Sequence, residues 1–202
     1  MTRTEKAVQW MISTANDPRH GYDQKYRWGE HGDYDCSSAV ITAWETAGVP
    51  VRSAGATYTG NMYSAFKKCG FVDVTTSVHL KTGSGLKRGD VLLNRKSHTA
   101  MYIGNNQIAQ ASINEKGTAT GGAPGDQTGR EFLVRSYYNY PWDYVLRYPE
   151  ITEKVHKKTD ADIACEVIRG LWGNGSDRIR RLRNAGYNPE EIQRLVNKMI
   201  LG

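Results

Sequence analysis

Cys36 stands in the run Tyr34-Asp35-Cys36-Ser37-Ser38, just ahead of a helical stripe that starts at Val40. The spacing places its thiol in the first turn of a helix. Unpaired backbone N–H groups and the positive end of the macrodipole gather there. Both favour a thiolate and lower its pKa, and the same N–H groups can hold an oxyanion. The other two cysteines read differently: Cys69 lies on an apolar stripe and Cys165 beside another, so both are expected to fill cores. A plain structural thiol is the alternative reading of Cys36 too. Three scattered cysteines make no disulfide framework, and with no C-x-x-C pair no metal site or cofactor is expected.

A thiol nucleophile needs a base, normally an imidazole. Of the five histidines, His20 and His31 fall in the loop before Cys36, His79 in an irregular stretch and His156 in a polar segment. His98 opens the strand-like run SHTAMYIG, and a strand holds a ring more rigidly than a loop does. An ordinary surface histidine at a strand end is the competing reading. A third group should orient the imidazole. Gly104-Asn105-Asn106 is turn chemistry, so 98–103 and 107–112 read as a hairpin. A three-residue loop sets position 100 opposite 110 and leaves His98 and Gln110 on one face, diagonally placed. Gln110 can then accept a hydrogen bond from the ring. A two-residue loop would put the pair on opposite faces.

The elements that must position these groups follow from periodicity. Thr2 to Glu5 is a capping-box pattern, followed by Ala7, Trp10, Met11 and Thr14 at helical spacing and broken at Asn16-Asp17-Pro18. A Gly- and Tyr-rich loop runs from Gly21 to Tyr34. Val40, Ala43, Trp44 and Ala47 make a second helix, and Met62, Ala65, Phe66 and Cys69 a third. From residue 71 the pattern becomes short strands: Phe71–Val74, Asp90–Leu93, Thr99–Ile103, Gln107–Ala111 and Tyr144–Arg147. Residues 114–129 read as a mobile surface loop. Helices first and strands afterwards give an α+β domain over residues 1–150. A polar linker follows at 151–159. Three short helices then fill 160–202, with stripes Ile163-Ala164-Val167-Ile168 and Ile192-Leu195-Val196-Met199-Ile200.

The chain has 202 residues and a net charge of +6. Lys and Arg outnumber Asp and Glu by 17 to 14 in residues 1–150, three to one in 151–159 and seven to six in 160–202. No segment carries the basic footprint of a nucleic-acid binder. The densest run, Arg178 to Arg183, reads as a solvated helix face anchored by Ile179 and Leu182. No apolar run approaches the ~20 residues of a membrane span, and the first residues have no signal-peptide pattern.

Residues 7–147 resemble the papain-like cysteine peptidoglycan hydrolases of the NlpC and CHAP type, and within them the Pal-like phage lysin amidases. The stretches AVQWM, GYDQKYRWGEHGDYDCSSAV, NMYSAFKKCGF, KRGDVLLN and SHTAMYIG carry the likeness. The resemblance implies a papain-like fold, N-terminal helices packed on an antiparallel sheet, with Cys36 as nucleophile and His98 as base. It sets Gln110 in the third triad position, where the family often has His; a neutral amide orients but adds no charge. It implies that Tyr22 lines the oxyanion site and that Asp35 contacts substrate or caps the helix. Residues 160–202 resemble the small cell-wall-binding repeat found in tandem in a pneumococcal-phage lysozyme, a three-helix bundle that binds the muropeptide. Trp172, Asn174 and Arg180 are the candidate contacts, with Trp172 open to a second reading as a core staple. Together these imply a phage endolysin whose partner is bacterial peptidoglycan. It would be made in the host cytoplasm and reach the wall after the membrane is breached. The Pal-like stretches point to the muramoyl–L-Ala amide as the bond cut, with one within the stem peptide, such as that after γ-D-Glu, as the alternative. A wall-binding protein with a dead catalytic domain is the rival that Gln110 suggests.

Overall fold

The computed structural model describes residues 1–125, 131–150 and 158–201. Its packing divides the chain into two compact units, Met1–Glu150 and Ile151–Gly202. Of the linker expected at 151–159, residues 151–157 lie outside the described residues, and Thr159 already serves as a helix cap.

The first unit is α+β. Three helices, α1 (Arg3–Ala15), α2 (Cys36–Thr46) and α3 (Thr59–Lys68), precede six strands. These are β1 (Val72–Asp73), β2 (Val91–Asn94), β3 (His98–Gly104), β4 (Gln107–Ala111), β5 (Phe132–Ser136) and β6 (Tyr144–Arg147). They form one sheet in the order β1-β6-β2-β3-β4-β5, with antiparallel neighbours throughout. Strand alternation assigns each residue to one of two covered faces. Val91, Leu93, Met101, Ala109 and Leu146 pack with Val8 and Met11 of α1 and Val40 and Trp44 of α2. Leu92, Ala100, Ile108 and Val145 face the other way, under Trp142, Tyr138 and Tyr140. His98 and Gln110 share the parity of this second, aromatic face. At the sheet's other end, fully buried Asp90 is held by Arg147 through Nε (2.7 Å) and Nη2 (2.6 Å), a forked pair that meets the cost of burying the charge.

Several sequence expectations shift. The strand β5 lies just beyond the expected loop and was not anticipated. Within that loop Asn114 is buried and ties Lys116, Thr118 and Thr120 together by hydrogen bonds, so its first half is an ordered turn; residues 126–130 lie outside the described residues. Thr2 caps α1 by accepting from Glu5 N (3.1 Å), but the Glu5 carboxylate turns away to Arg88 and Gln9.

The second unit consists of α4 (Asp160–Ile168), α5 (Gly175–Asn184) and α6 (Pro189–Leu201). Ile163, Ala164, Val167, Leu182, Ile192 and Val196 form its core, with Trp172, Tyr187 and Leu195 packed at the margin. Ile168, Ile179, Met199 and Ile200 are exposed, so the apolar stripes are narrower than the sequence suggested. Cys165 is exposed as well. At 100° per residue it points away from the 163–164–167 face. No described helix is long and apolar enough to cross a membrane.

Candidate active site

The helix α2 begins at Cys36 because Asp35 caps it. Asp35 Oδ1 accepts from Ser38 N (2.6 Å), and Ser38 Oγ returns a bond from Asp35 N (2.9 Å). This reciprocal cap is worth about 1 kcal/mol in similar helices. Asp35 Oδ1 also takes the Ser37 hydroxyl (2.8 Å), and Oδ2 takes Arg27 Nη1 (2.5 Å). So Asp35 spends its carboxylate on the cap and on a cation the sequence reading had not singled out. A second Arg27 nitrogen holds Thr57 O at 2.7 Å.

Three backbone N–H groups favour ionisation of Cys36: that of Thr99, that of Ser37 and its own. The helix terminus therefore acts in the expected direction. It loses in magnitude, because the thiol is only 7% exposed and burial, aided by the charge of Asp35, pushes it up to about 12. At neutral pH Cys36 rests as a thiol rather than the expected low-pKa thiolate. The expectation for the cysteines is thus reversed in burial: the nucleophile candidate is buried, Cys69 half-buried and Cys165 exposed.

The Thr99 backbone N–H acts on Cys36, and Thr99 follows the other candidate, His98, in β3. His98 sits just past a three-residue turn closed by the pair Asn94 and His98. Buried Asn94 fixes that turn, accepting from Lys96 N (3.0 Å), Ser97 N (3.1 Å) and Ser97 Oγ (2.9 Å). The His98 ring stacks near Trp142 at 5.9 Å and meets Tyr140 edge-on at 5.5 Å. Burial depresses its pKa below the usual 6.5, partly opposed by the bond it donates to Gln110.

Gln110 is placed by the register of the β3–β4 hairpin. The hairpin turns on two residues, Asn105 (φ 51°) and Asn106 (φ 57°), both left-handed, which alone would separate the pair. A bulge between Tyr102 and Gly104 adds back one residue. Met101 therefore pairs with Ala109, which carries Ala100 opposite Gln110. His98 Nε2 and Gln110 Oε1 lie 3.0 Å apart. Oε1 only accepts, so Nε2 carries the proton and Nδ1 keeps its lone pair. The Tyr138 hydroxyl donates to the same oxygen at 3.3 Å. Tyr138, Tyr140 and Trp142 were missed in the sequence; the aromatic density of Tyr137 to Trp142 within a polar stretch was the available signal.

Tyr22 is buried, and its hydroxyl accepts from Gln24 Nε2 (3.0 Å). Burial and then the nearby Cys36 raise its pKa, so its phenol stays a proton donor. In the second unit, Trp172 packs on the core and donates Nε1–H to Glu166 (3.0 Å). Asn174 occupies the cap position of α5 without a side-chain capping bond, and Arg180 is exposed and paired with Asp177 (2.6 Å). No hydrogen bond or ion pair among the described residues joins these three. Nor is there, among the described residues, a cluster of three His, Cys, Asp or Glu suited to a metal.

Acyl transfer by a cysteine calls for a thiol with backbone N–H groups near it and an oriented imidazole; Cys36 opens α2, and the His98 ring is oriented by Gln110. The endolysin-like domain profile matches residues 29–107 and 108–197, and the chain belongs to that family. A lysozyme of Streptococcus phage Cp-7 is 50% identical over 42 residues, which is 21% of this chain and 12% of that protein. Among solved structures, the P60 domain of an antigen from M. avium subspecies paratuberculosis aligns at a TM-score of 0.44 with 16% identity, covering 72% of this chain and 96% of that one. The peptidoglycan hydrolase RipB of Mycobacterium tuberculosis aligns at 0.43 with 20% identity, covering 73% and 67%.

Burial sets the order of thiol reactivity in the resting protein. Iodoacetamide at pH 7.5, followed by peptide mass mapping, should label Cys165 first and Cys36 last. Labelling of Cys36 ahead of Cys165 would mean a resting thiolate.

Proposed function

We propose that the chain is an endolysin that hydrolyses an amide bond of bacterial peptidoglycan, with Cys36 as nucleophile and His98 as general base. The observation that carries this reading is the place of Cys36 at the capped start of α2, where the backbone N–H of Thr99 favours its ionised form, with the preceding residue of β3, His98, held through Nε2 by Gln110. Membership of the endolysin-like family supports the substrate class.

Both reacting groups rest uncharged, so proton transfer and attack go together. His98 Nδ1 takes the Cys36 proton as Sγ attacks the carbonyl carbon. The oxyanion is met by N–H groups at the start of α2 and by the Tyr22 hydroxyl, each donor worth roughly 2.7–4 kcal/mol in comparable sites. The C–N bond breaks, and His98 returns its proton to the leaving amine. Water then attacks the thioester, giving one proton to His98, and the acid leaves as Cys36 regains its thiol. Gln110 keeps the imidazole in the productive tautomer, with Tyr138 holding the amide oxygen in place.

The bond we assign is the one between the muramic lactyl group and L-Ala, following the Pal-like stretches of the sequence. The α4–α6 unit is assigned to cell-wall binding. Its Gly170-Leu-Trp172-Gly-Asn174-Gly run, and a stretch of this length shared with the Cp-7 lysozyme, support that role. Arg180 and Asn174 are its exposed polar candidates, and Trp172 serves chiefly to staple the core.

Purified cell walls test the assignment. Cys36→Ala should abolish clearing and His98→Ala should slow it by about 10²–10⁴-fold. Mass spectrometry of the wild-type digest should find new L-Ala amino termini; cleavage inside the stem would instead make the enzyme an endopeptidase. Full activity in either variant would refute the mechanism.

The pH profile follows from the two shifts. His98 is depressed, so its neutral, active form persists below pH 6.5 and is lost only as the pH falls through the lower folded value. Cys36 is raised, so kcat/KM should show no rise near pH 9, where an exposed thiol ionises. Gln110→Glu adds a negative neighbour and should move the acid limb upward by about 1 unit.

A further inference from the structure

The turn before His98 also borders a groove that the chemistry above leaves unused. It measures about 670 Å³ and is lined by Tyr58, Gly60, Arg95, Lys96, Asp143 and Tyr144. Pockets that take small molecules run to roughly 300–1,000 Å³. Backbone bonds fix its walls. Thr59 Oγ1 donates to Arg95 O (3.1 Å), Arg95 N–H donates to Asp143 Oδ2 (2.8 Å), and Asp143 N–H donates to Leu93 O (2.8 Å).

The same segments lead to both reacting groups. On one side Thr57 O accepts from Arg27, which pairs with Asp35 at the cap of the Cys36 helix. On the other, Arg95, Lys96 and Ser97 form the turn that ends at His98. The groove therefore flanks the site.

Its charge is uneven. Arg95 and Lys96 are exposed, and Arg95 spends one guanidinium nitrogen on Gly60 O at 3.3 Å. Against these two cations stands one carboxylate, Asp143, with one oxygen already engaged by backbone. Tyr58 is 55% exposed and lines the groove together with Tyr144, whose ring packs on Tyr63 at 4.3 Å. We infer that this groove binds a free carboxylate of a peptide substrate through Arg95 and Lys96, and so selects stem peptides that carry one beside the scissile bond. This rests on the hydrolase reading, which supplies a peptide substrate. A polyphosphate chain fits less well, because Asp143 repels repeated anions and exposed Tyr58 suits a peptide side chain.

Binding is measured on the full chain carrying Cys36→Ala, which cannot turn over. Calorimetry compares a synthetic muramoyl tetrapeptide bearing free α-carboxylates with its carboxamide analogue. The carboxylate form should bind about tenfold tighter, as charge-assisted bonds allow. R95Q/K96Q should bring the ratio to near one. The bonds made by the Arg95 backbone survive that change, and Lys96→Gln alone, at an exposed side chain, should halve the preference or more. A ratio near one before substitution, or one that survives R95Q/K96Q, overturns the inference. So does displacement of the peptide by a glycerol-phosphate polymer that R95Q/K96Q abolishes. Hydrolysis of both peptides by the chain with Cys36 intact is scored separately. Its absence counts against the hydrolase reading, while the binding ratio alone judges the groove.

Discussion

The bulge between Tyr102 and Gly104 is the constraint on which the candidate site depends. Side chains alternate along a strand, so a slip of one residue moves every one of them to the opposite face. The left-handed pair Asn105-Asn106 alone would close the hairpin with His98 and Gln110 on different sides. The extra residue restores a shared face, and with it the 3.0 Å contact that decides which imidazole nitrogen carries the proton. The tautomer of His98 thus traces back to the bulge and turn between Tyr102 and Asn106.

Burial is the second determinant, and it acts against the helix terminus. The start of α2 offers N–H groups to sulfur, yet the low-dielectric surroundings and the charge of Asp35 outweigh them. Asp35 cannot simply be removed, because it is the cap that sets Cys36 at the helix start. Arg27 reconciles the two demands by pairing with the far oxygen of the same carboxylate. Burial raises Cys36 and depresses His98, so neither group calls for a charged neighbour, and the neutral amide of Gln110 serves to orient the ring. With no resting ion pair, orientation matters more than countercharge.

Much of this was legible in the residues. The helical periodicities around Met11, Trp44 and Phe66, the Asp-Cys-Ser-Ser start and the strand opening at His98 are local signals, and the structure carries them at those positions. Other features depend on what each segment packs against. Phe132–Ser136 is an edge strand whose last two residues are exposed, so it shows no clear alternation. The ring wall of Tyr138, Tyr140 and Trp142 comes from an irregular segment with no period to read. Cys165 was taken for core because it adjoins an apolar stripe, though one step round a helix is enough to reach solvent. The resting charge of Cys36 was misjudged for a similar reason: helix position can be read from a sequence, while depth of burial belongs to the tertiary structure.

The central claim is that Cys36 Sγ forms a covalent bond to the substrate acyl group. Acid quenching of the 202-residue chain in the first turnovers on soluble muropeptide, followed by peptide mapping, measures this directly. The account predicts an acyl adduct on the peptide containing Cys36, lost in His98→Ala. An adduct on another side chain, or turnover at the wild-type rate by Cys36→Ala, would contradict it.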